Sequence, residues 1–188
     1  GTPAASFTVD SATQITAVTP AHAAGAVDVA VTTPGGSATL AGAFTFEAPG
    51  LSIGDVSLAE GNAGTTSFTF TVTLDAPAGP GGVTFDIATA DNTATVADGD
   101  YLASSLAGQT IPAGSSTYDF TVTVNGDTTF EPDESFFVNV TNVVGATVTD
   151  GQATGTIVND DFAAPTLTAV APATGPVAGG TSVTLTGT

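Results

Sequence analysis

The strongest constraint on this chain is a period of two. Phe68, Phe70, Val72 and Leu74 alternate with Thr in the run "SFTFTVTL". Successive side chains of an extended strand point to opposite faces, so the run offers one apolar and one polar face. A helix needs apolar residues every three or four positions instead. The alternation returns at Val27, Val29 and Val31, at Val83, Phe85 and Ile87, at Tyr118, Phe120, Val122 and Val124, and at Phe136, Val138 and Val140. Turn signals such as "TPGG", "APAGPGG", "NGD" and "PVAGG" separate these runs. The pattern predicts an all-β chain of stacked β-sandwiches.

Charge is the second constraint. The chain has 188 residues, 18 acids and no Lys or Arg, for a formal charge of −18. With no basic residue to meet a phosphate, nucleic acid is excluded as a partner, and so is an anionic membrane surface. No run of 18 apolar residues marks a membrane span. Cys is absent, which excludes disulfides and thiolate metal sites. A chain opening on Gly1 without Met or signal peptide is expected to be processed, excised or cropped.

The acids are unevenly placed. "DTTFEPDESF", residues 127–136, holds Asp127, Glu131, Asp133 and Glu134. Strands are predicted at 51–58, 66–75, 83–90, 107–112, 116–124, 134–142 and 152–158. If all are antiparallel, the first, third, fifth and seventh end at one pole. Glu60 follows the first. Asp91, Asp98 and Asp100 follow the third. Asp127, Glu131, Asp133 and Glu134 follow the fifth, and Asp160 and Asp161 the seventh. Asp75 and Asp150 fall at the opposite pole, and Asp86 and Asp119 on outward strand positions.

Two like charges 4 Å apart repel by about 4 kcal/mol at an effective dielectric near 20. Such a pole is held together by protonation or by counter-cations, and protonation at neutral pH requires large pKa shifts. Oxygen-only donors without His or Cys select a hard ion. Ca²⁺, with six to eight oxygens in flexible geometry, suits them better than Mg²⁺. Some ten carboxylates plus loop carbonyls suffice for roughly two to four Ca²⁺ ions.

Residues 51–161 also resemble a known family. "VSLAEGNAGTTSFTFTVTL", "TADNTATVADGDY", "FEPDESFFVNVTN" and "GTIVNDD", in that order, resemble the Calx-beta domain of sodium–calcium exchangers, an integrin subunit and large bacterial surface proteins. The resemblance implies a β-sandwich that binds Ca²⁺ at one tip. By motif it carries ligand roles to Glu60, Asp100, Asp127, Glu131, Glu134, Asp160 and Asp161, and to Asp91 as the acid opening its stretch. Gly126, Thr128 and Asn159 stand where exchanger-like members have further acids, which implies fewer or weaker sites.

The flanks resemble a second family. "GTPA", "SATQITAVTPAHAAGAVDVAVTTPGG" and "FTF" in residues 1–48 resemble the later part of an IPT/TIG domain, a small immunoglobulin-like sandwich. "PTLTAVAPATGPVAGGTSVTLTGT" in residues 164–188 resembles its beginning. The expected organisation is an IPT/TIG-like part at 1–48, a Calx-beta-like sandwich at 49–161 and a second IPT/TIG-like part at 164–188. Head and tail are complementary. They are either cut ends of a tandem array, or tail strands of one copy complete the head of the next.

One His, His22, lies in "TPAHAAG" and supports neither a triad nor a metal site. Asn139-Val140-Thr141 spells a glycosylation acceptor inside a predicted strand and is discounted. A glycosidase pair at the acidic pole lacks a Trp platform for sugars. The expected function is a non-enzymatic, extracellular, Ca²⁺-rigidified module of a cell-surface stalk, adhesin or filament, joined head to tail to neighbouring copies or domains. Two alternatives stand beside it: a Ca²⁺-dependent sensor or ligand-binding domain, and a self-assembling filament subunit.

Overall fold

The computed structural model describes residues 1–188. Every regular element is a strand. Two hairpins come first: β1 (Ser6–Ser11) with β2 (Gln14–Val18), and β3 (Gly25–Thr33) with β4 (Gly36–Phe46). Nine central strands follow: β5 (Gly50–Ile53), β6 (Val56–Ala59), β7 (Gly64–Leu74), β8 (Val83–Asp91), β9 (Ser105–Ile111), β10 (Thr117–Gly126), β11 (Glu134–Val144), β12 (Thr147–Val148) and β13 (Gln152–Val158). A last hairpin joins β14 (Leu167–Ala171) to β15 (Thr184–Gly187).

The central strands form two sheets, ordered β10-β7-β5-β12 and β6-β13-β11-β8-β9. The alternation of the sequence explains the layering. Phe68, Phe70, Val72 and Leu74 of β7 are buried, as are Phe120, Val122 and Val124 of β10. From the second sheet Val83, Phe85 and Ile87 of β8 and Phe136 and Val138 of β11 meet them. Phe136 is the hub, packed against Phe68, Phe70 and Tyr101 at centroid distances of 6.0, 5.9 and 4.5 Å. Gly155 of β13 makes room for it, because a Cβ there would sit 2.5 Å from the Phe136 ring. Every buried residue lies between Leu51 and Asp161.

The strand predicted at 51–58 is two strands. Gly54-Asp55 breaks the run, β5 pairs with β7, and β6 crosses to the other sheet. The Asp55 carboxylate fixes the crossing by accepting the Thr154 N–H at 2.7 Å. The expected all-antiparallel pairing therefore fails at two edges: β6 runs parallel to β13, and β12 runs parallel to β5. The parity argument survives, since a strand that switches sheets keeps its direction. The strands predicted at 107–112, 116–124 and 134–142 run 105–111, 117–126 and 134–144, and β12 was not foreseen.

Candidate metal centre

β6 and β13 are parallel, with Ala59 opposite Val158, so their C-terminal ends lie side by side. Glu60 and the Asp160–Asp161 pair emerge there together. One carboxylate oxygen of each of the three lies within 4.8 Å of the others. Glu60 and Asp161 are buried, at 7% and 8% exposure, while Asp160 is exposed. Asp161 Oδ1 accepts a hydrogen bond from Asn62 Nδ2 at 2.7 Å. Its Oδ2 is buried with no partner. Asp160 Oδ1 accepts the Gly61 N–H at 3.2 Å.

The loops after β8 and β10 extend the cluster. Burial, and then the charges of Asp127, Glu131, Asp161 and Asp160, push the Glu60 carboxyl from 4.5 to about 7. Glu131 is also raised, by burial and then by Asp127, Asp100, Asp98 and Asp161. Glu134 is raised by burial and then by Asp100, Glu131 and Asp98. Glu131 is thus common to two lobes. One holds Glu60, Asp127, Asp160 and Asp161, and the other Asp98, Asp100 and Glu134. No cation of the chain offsets either.

Asp91 and Asp133 are tied into the loops by hydrogen bonds. Asp91 Oδ1 accepts the Tyr101 hydroxyl at 2.6 Å and the Val96 N–H at 3.1 Å. Asp133 Oδ1 accepts the Asn159 N–H at 3.1 Å. Both acids spend these oxygens on loop framework. Asp98 and Asp100 have framework bonds too: Thr95 Oγ1 donates to Asp98 Oδ2 at 2.8 Å, and the Thr95 N–H to Asp100 Oδ2 at 2.7 Å. Asp127 Oδ1 accepts the Thr129 N–H at 2.6 Å.

Three positions gain a role that sequence reasoning did not assign. Asn62 orients Asp161, and its only signal was its place two residues after Glu60. Asn159 cross-links the pole. Its Nδ2 donates to the Asp161 carbonyl at 3.1 Å, and its Oδ1 accepts the Glu131 N–H at 3.4 Å. Gly126 abuts the Glu60–Gly61 turn, and a Cβ there would lie 2.0 Å from the Gly61 carbonyl oxygen. An acid at 126 is therefore sterically barred. His22 has the structural role expected of it: its ring stacks on Phe46 at 4.8 Å, and Nδ1 donates to the Ala23 carbonyl at 2.7 Å.

The donor set fits a hard cation. Two oxygens bound to one Ca²⁺ at 2.3–2.6 Å are at most about 5 Å apart, and the three carboxylates already meet that limit. A buried polar atom ordinarily has a partner, and the unpartnered Oδ2 of Asp161 is one that a bound cation would serve.

The Calx-beta domain family model matches residues 44–161. No curated protein matches the chain. Among solved structures, the apo-form Calx CBD1 domain is similar at 24% identity and a TM-score of 0.50, covering 61% of this chain and 100% of that one. CBD12 of CALX1.2 is similar at 24% identity and 0.51, covering 60% of this chain and 46% of that one. The calcium binding domain CBD12 of CALX1.1 is similar at 22% identity and 0.52, covering 63% and 50%. The chain thus spans one such domain in full and about half of each CBD12 structure. These likenesses concern the fold.

Proposed function

This chain belongs to the Calx-beta domain family, and from that premise we propose that its acidic pole is a Ca²⁺ site serving a structural rather than catalytic end. One observation carries the reading. Asp161 Oδ2 is buried and unpartnered beside Glu60 and Asp160, in a chain with no Lys or Arg. Glu60, Asp160 and Asp161 would hold one ion, with Asp127 and Glu131 nearest to complete its shell. Asp98, Asp100 and Glu134, with Glu131 shared, form the second lobe. When bound, the ion supplies the positive charge that the side chains lack. Asp91 and Asp133 act through the loops they brace.

Mechanically, the ion would tie strand ends that are far apart in sequence. Asp160 and Asp161 directly precede the exit segment starting at Phe162, and Asn159, Gly61 and Asn62 already hold that exit by hydrogen bonds. Ca²⁺ at this place stiffens the pole and the departure of the chain from it. The module suits a load-bearing repeat of an extracellular bacterial surface stalk or adhesin.

An ion that binds only the folded state stabilises it by mass action, by about 2.7 kcal/mol at a hundredfold excess over Kd. Thermal unfolding in excess Ca²⁺ should therefore move up by roughly 5–10 °C relative to chelator. Asp161→Asn should lose most of that shift. Equal melting temperatures in Ca²⁺ and chelator would end the proposal.

A further inference from the structure

The chain has no Cys or Met to oxidise and no Lys to acylate. Chemical lability falls mainly on its amides. Six Asn are present, at 62, 92, 125, 139, 142 and 159. Five precede a residue with a Cβ, and Asn125 alone precedes a glycine. In an Asn-Gly pair the next backbone nitrogen attacks the side-chain amide most readily, because no Cβ crowds the approach.

Packing explains why this pair stands where it does. Asn125 and Gly126 are the last residues of β10, at the acidic pole. Residue 126 must be glycine for space, since a Cβ would lie 2.0 Å from the Gly61 carbonyl oxygen and 2.8 Å from that of Glu60. Residue 125 must carry a donor. Asn125 Nδ2 donates to the Gly99 carbonyl, and the Asn125 N–H donates to the Asp100 carbonyl at 2.9 Å. The Leu102 N–H donates back to the Thr123 carbonyl at 2.9 Å, and Tyr101 bridges Val124. β10 is the outer strand of its sheet, so the segment bearing Asp98 and Asp100 takes the place of a further strand there. Asn125 supplies the side-chain member of that clip.

An ionised Asp at 125 would have acceptors only. It would set a carboxylate against the Gly99 carbonyl oxygen, and it would add a charge to a pole that no Lys or Arg offsets. The amide that the clip needs thus sits in the pair that loses its amide most readily.

We propose that Asn125 is a self-modification site of the acidic pole: its amide latches the Asp98–Asp100 loop to β10, and its conversion to aspartate or isoaspartate releases that loop. In the reaction the Gly126 nitrogen gives its proton to hydroxide and attacks Asn125 Cγ. The Cγ–Nδ2 bond breaks, and ammonia leaves with a proton from water, closing a cyclic imide. Water then opens the ring at Cγ, leaving Asp, or at the main-chain carbonyl, leaving isoaspartate. The sum is amide plus water to acid plus ammonia, with no oxidant and no enzyme. Ring closure requires Nδ2 to leave Gly99 and Gly126 to leave its register with Gly64, so it proceeds from a locally opened state. The latch is made of protein groups alone, and this inference does not depend on the metal reading.

The test uses the full chain in chelator at mildly alkaline pH, native and in urea, sampled over weeks. Chymotryptic cleavage after Phe120 and Phe130 isolates Asn125 from every other Asn, and mass spectrometry reads the conversion of amide to acid. In the native chain Asn125 should convert about tenfold more slowly than in urea, and still ahead of the other five Asn. Equal rates in the two states would overturn the proposal, as would another Asn converting first in the native chain. Two variants test the latch itself by amide hydrogen exchange. In Asn125→Asp, which mimics the product, and in Asn125→Leu, which is neutral and has no donor, the amides of residue 125 and Leu102 should exchange at least tenfold faster. Amides of β11 should be unchanged, which shows that the sandwich is folded. Unaltered protection in both variants would overturn the proposal. Faster exchange in Asn125→Asp alone would overturn it too, since that result would assign the effect to charge and not to the lost donor.

Discussion

At the scale of single residues, the pole is a balance between burial and repulsion, and Glu60 is where it is most sensitive. Its carboxyl is raised to about 7 in the folded, metal-free chain. A carboxyl raised on folding keeps its proton in the native state while the unfolded chain has lost it. Between pH 4.5 and about 7 the native state therefore binds more protons, and stability falls as pH rises. Glu131 and Glu134 are raised as well and add in the same direction. In chelator, the melting temperature should decline from pH 5 to pH 8, and Glu60→Gln should flatten the decline. With Glu60 as a ligand, as proposed, the slope should reverse in Ca²⁺, because the ionised carboxylate would hold the ion. A chelator profile that rises with pH would contradict this account of the pole. Gly126 is sensitive for a different reason. A methyl group there meets the Gly61 carbonyl at 2.0 Å, so the turn carrying Glu60 must move. Gly126→Ala should weaken Ca²⁺ binding by tenfold or more in a calorimetric titration, although residue 126 has no ligand atom of its own.

At the scale of elements, direction was legible in the sequence and partnership was not. Period-two runs gave seven strands and their parity, and parity alone gathered Glu60, Asp160 and Asp161. The switch of β5 to β6 was hidden, because Gly54-Asp55 reads as a minor interruption until Thr154 is known to donate to Asp55. The parallel β6–β13 edge followed from that switch, and it sets Glu60 beside Asp160 and Asp161. The framework bonds of Asp91 were hidden for a similar reason. Nothing in "TADNTATVADGDY" reveals that the Tyr101 ring stacks under Phe136 and turns its hydroxyl onto Asp91. Burial first and this hydrogen bond second push the Tyr101 phenol above its ordinary pKa. Tyr101 also bridges Val124 of β10, so it pins the loop bearing Asp98 and Asp100. Tyr101→Phe keeps the packing and should cost about 1–3 kcal/mol through the unmade bond. Tyr101→Ala should cost about 3–5 kcal/mol. Both are read by chemical denaturation, and an Ala variant no weaker than the Phe variant would show that the ring is not part of the core.

At the scale of the whole molecule, the decisive property is that all fixed side-chain charge has one sign. Ordinary proteins spread attraction and repulsion over their surfaces, so added salt weakens both. Here it can weaken only repulsion among 18 acids. The Debye length falls from about 10 Å at 0.1 M salt to about 3 Å at 1 M, which spans the 4.8 Å limit within which the Glu60, Asp160 and Asp161 oxygens lie. In chelator, raising NaCl over that range should therefore raise the melting temperature steadily. Saturating Ca²⁺ already neutralises the densest part of the field, so the same salt increment should then produce a much smaller rise. The two conditions should converge at high salt, with a residual gap set by direct coordination, which monovalent screening cannot replace. Differential scanning calorimetry along both salt series measures the gap. If NaCl at 1 M closed it completely, Ca²⁺ would be acting as diffuse countercharge, and the buried Asp161 Oδ2 would not be a ligand.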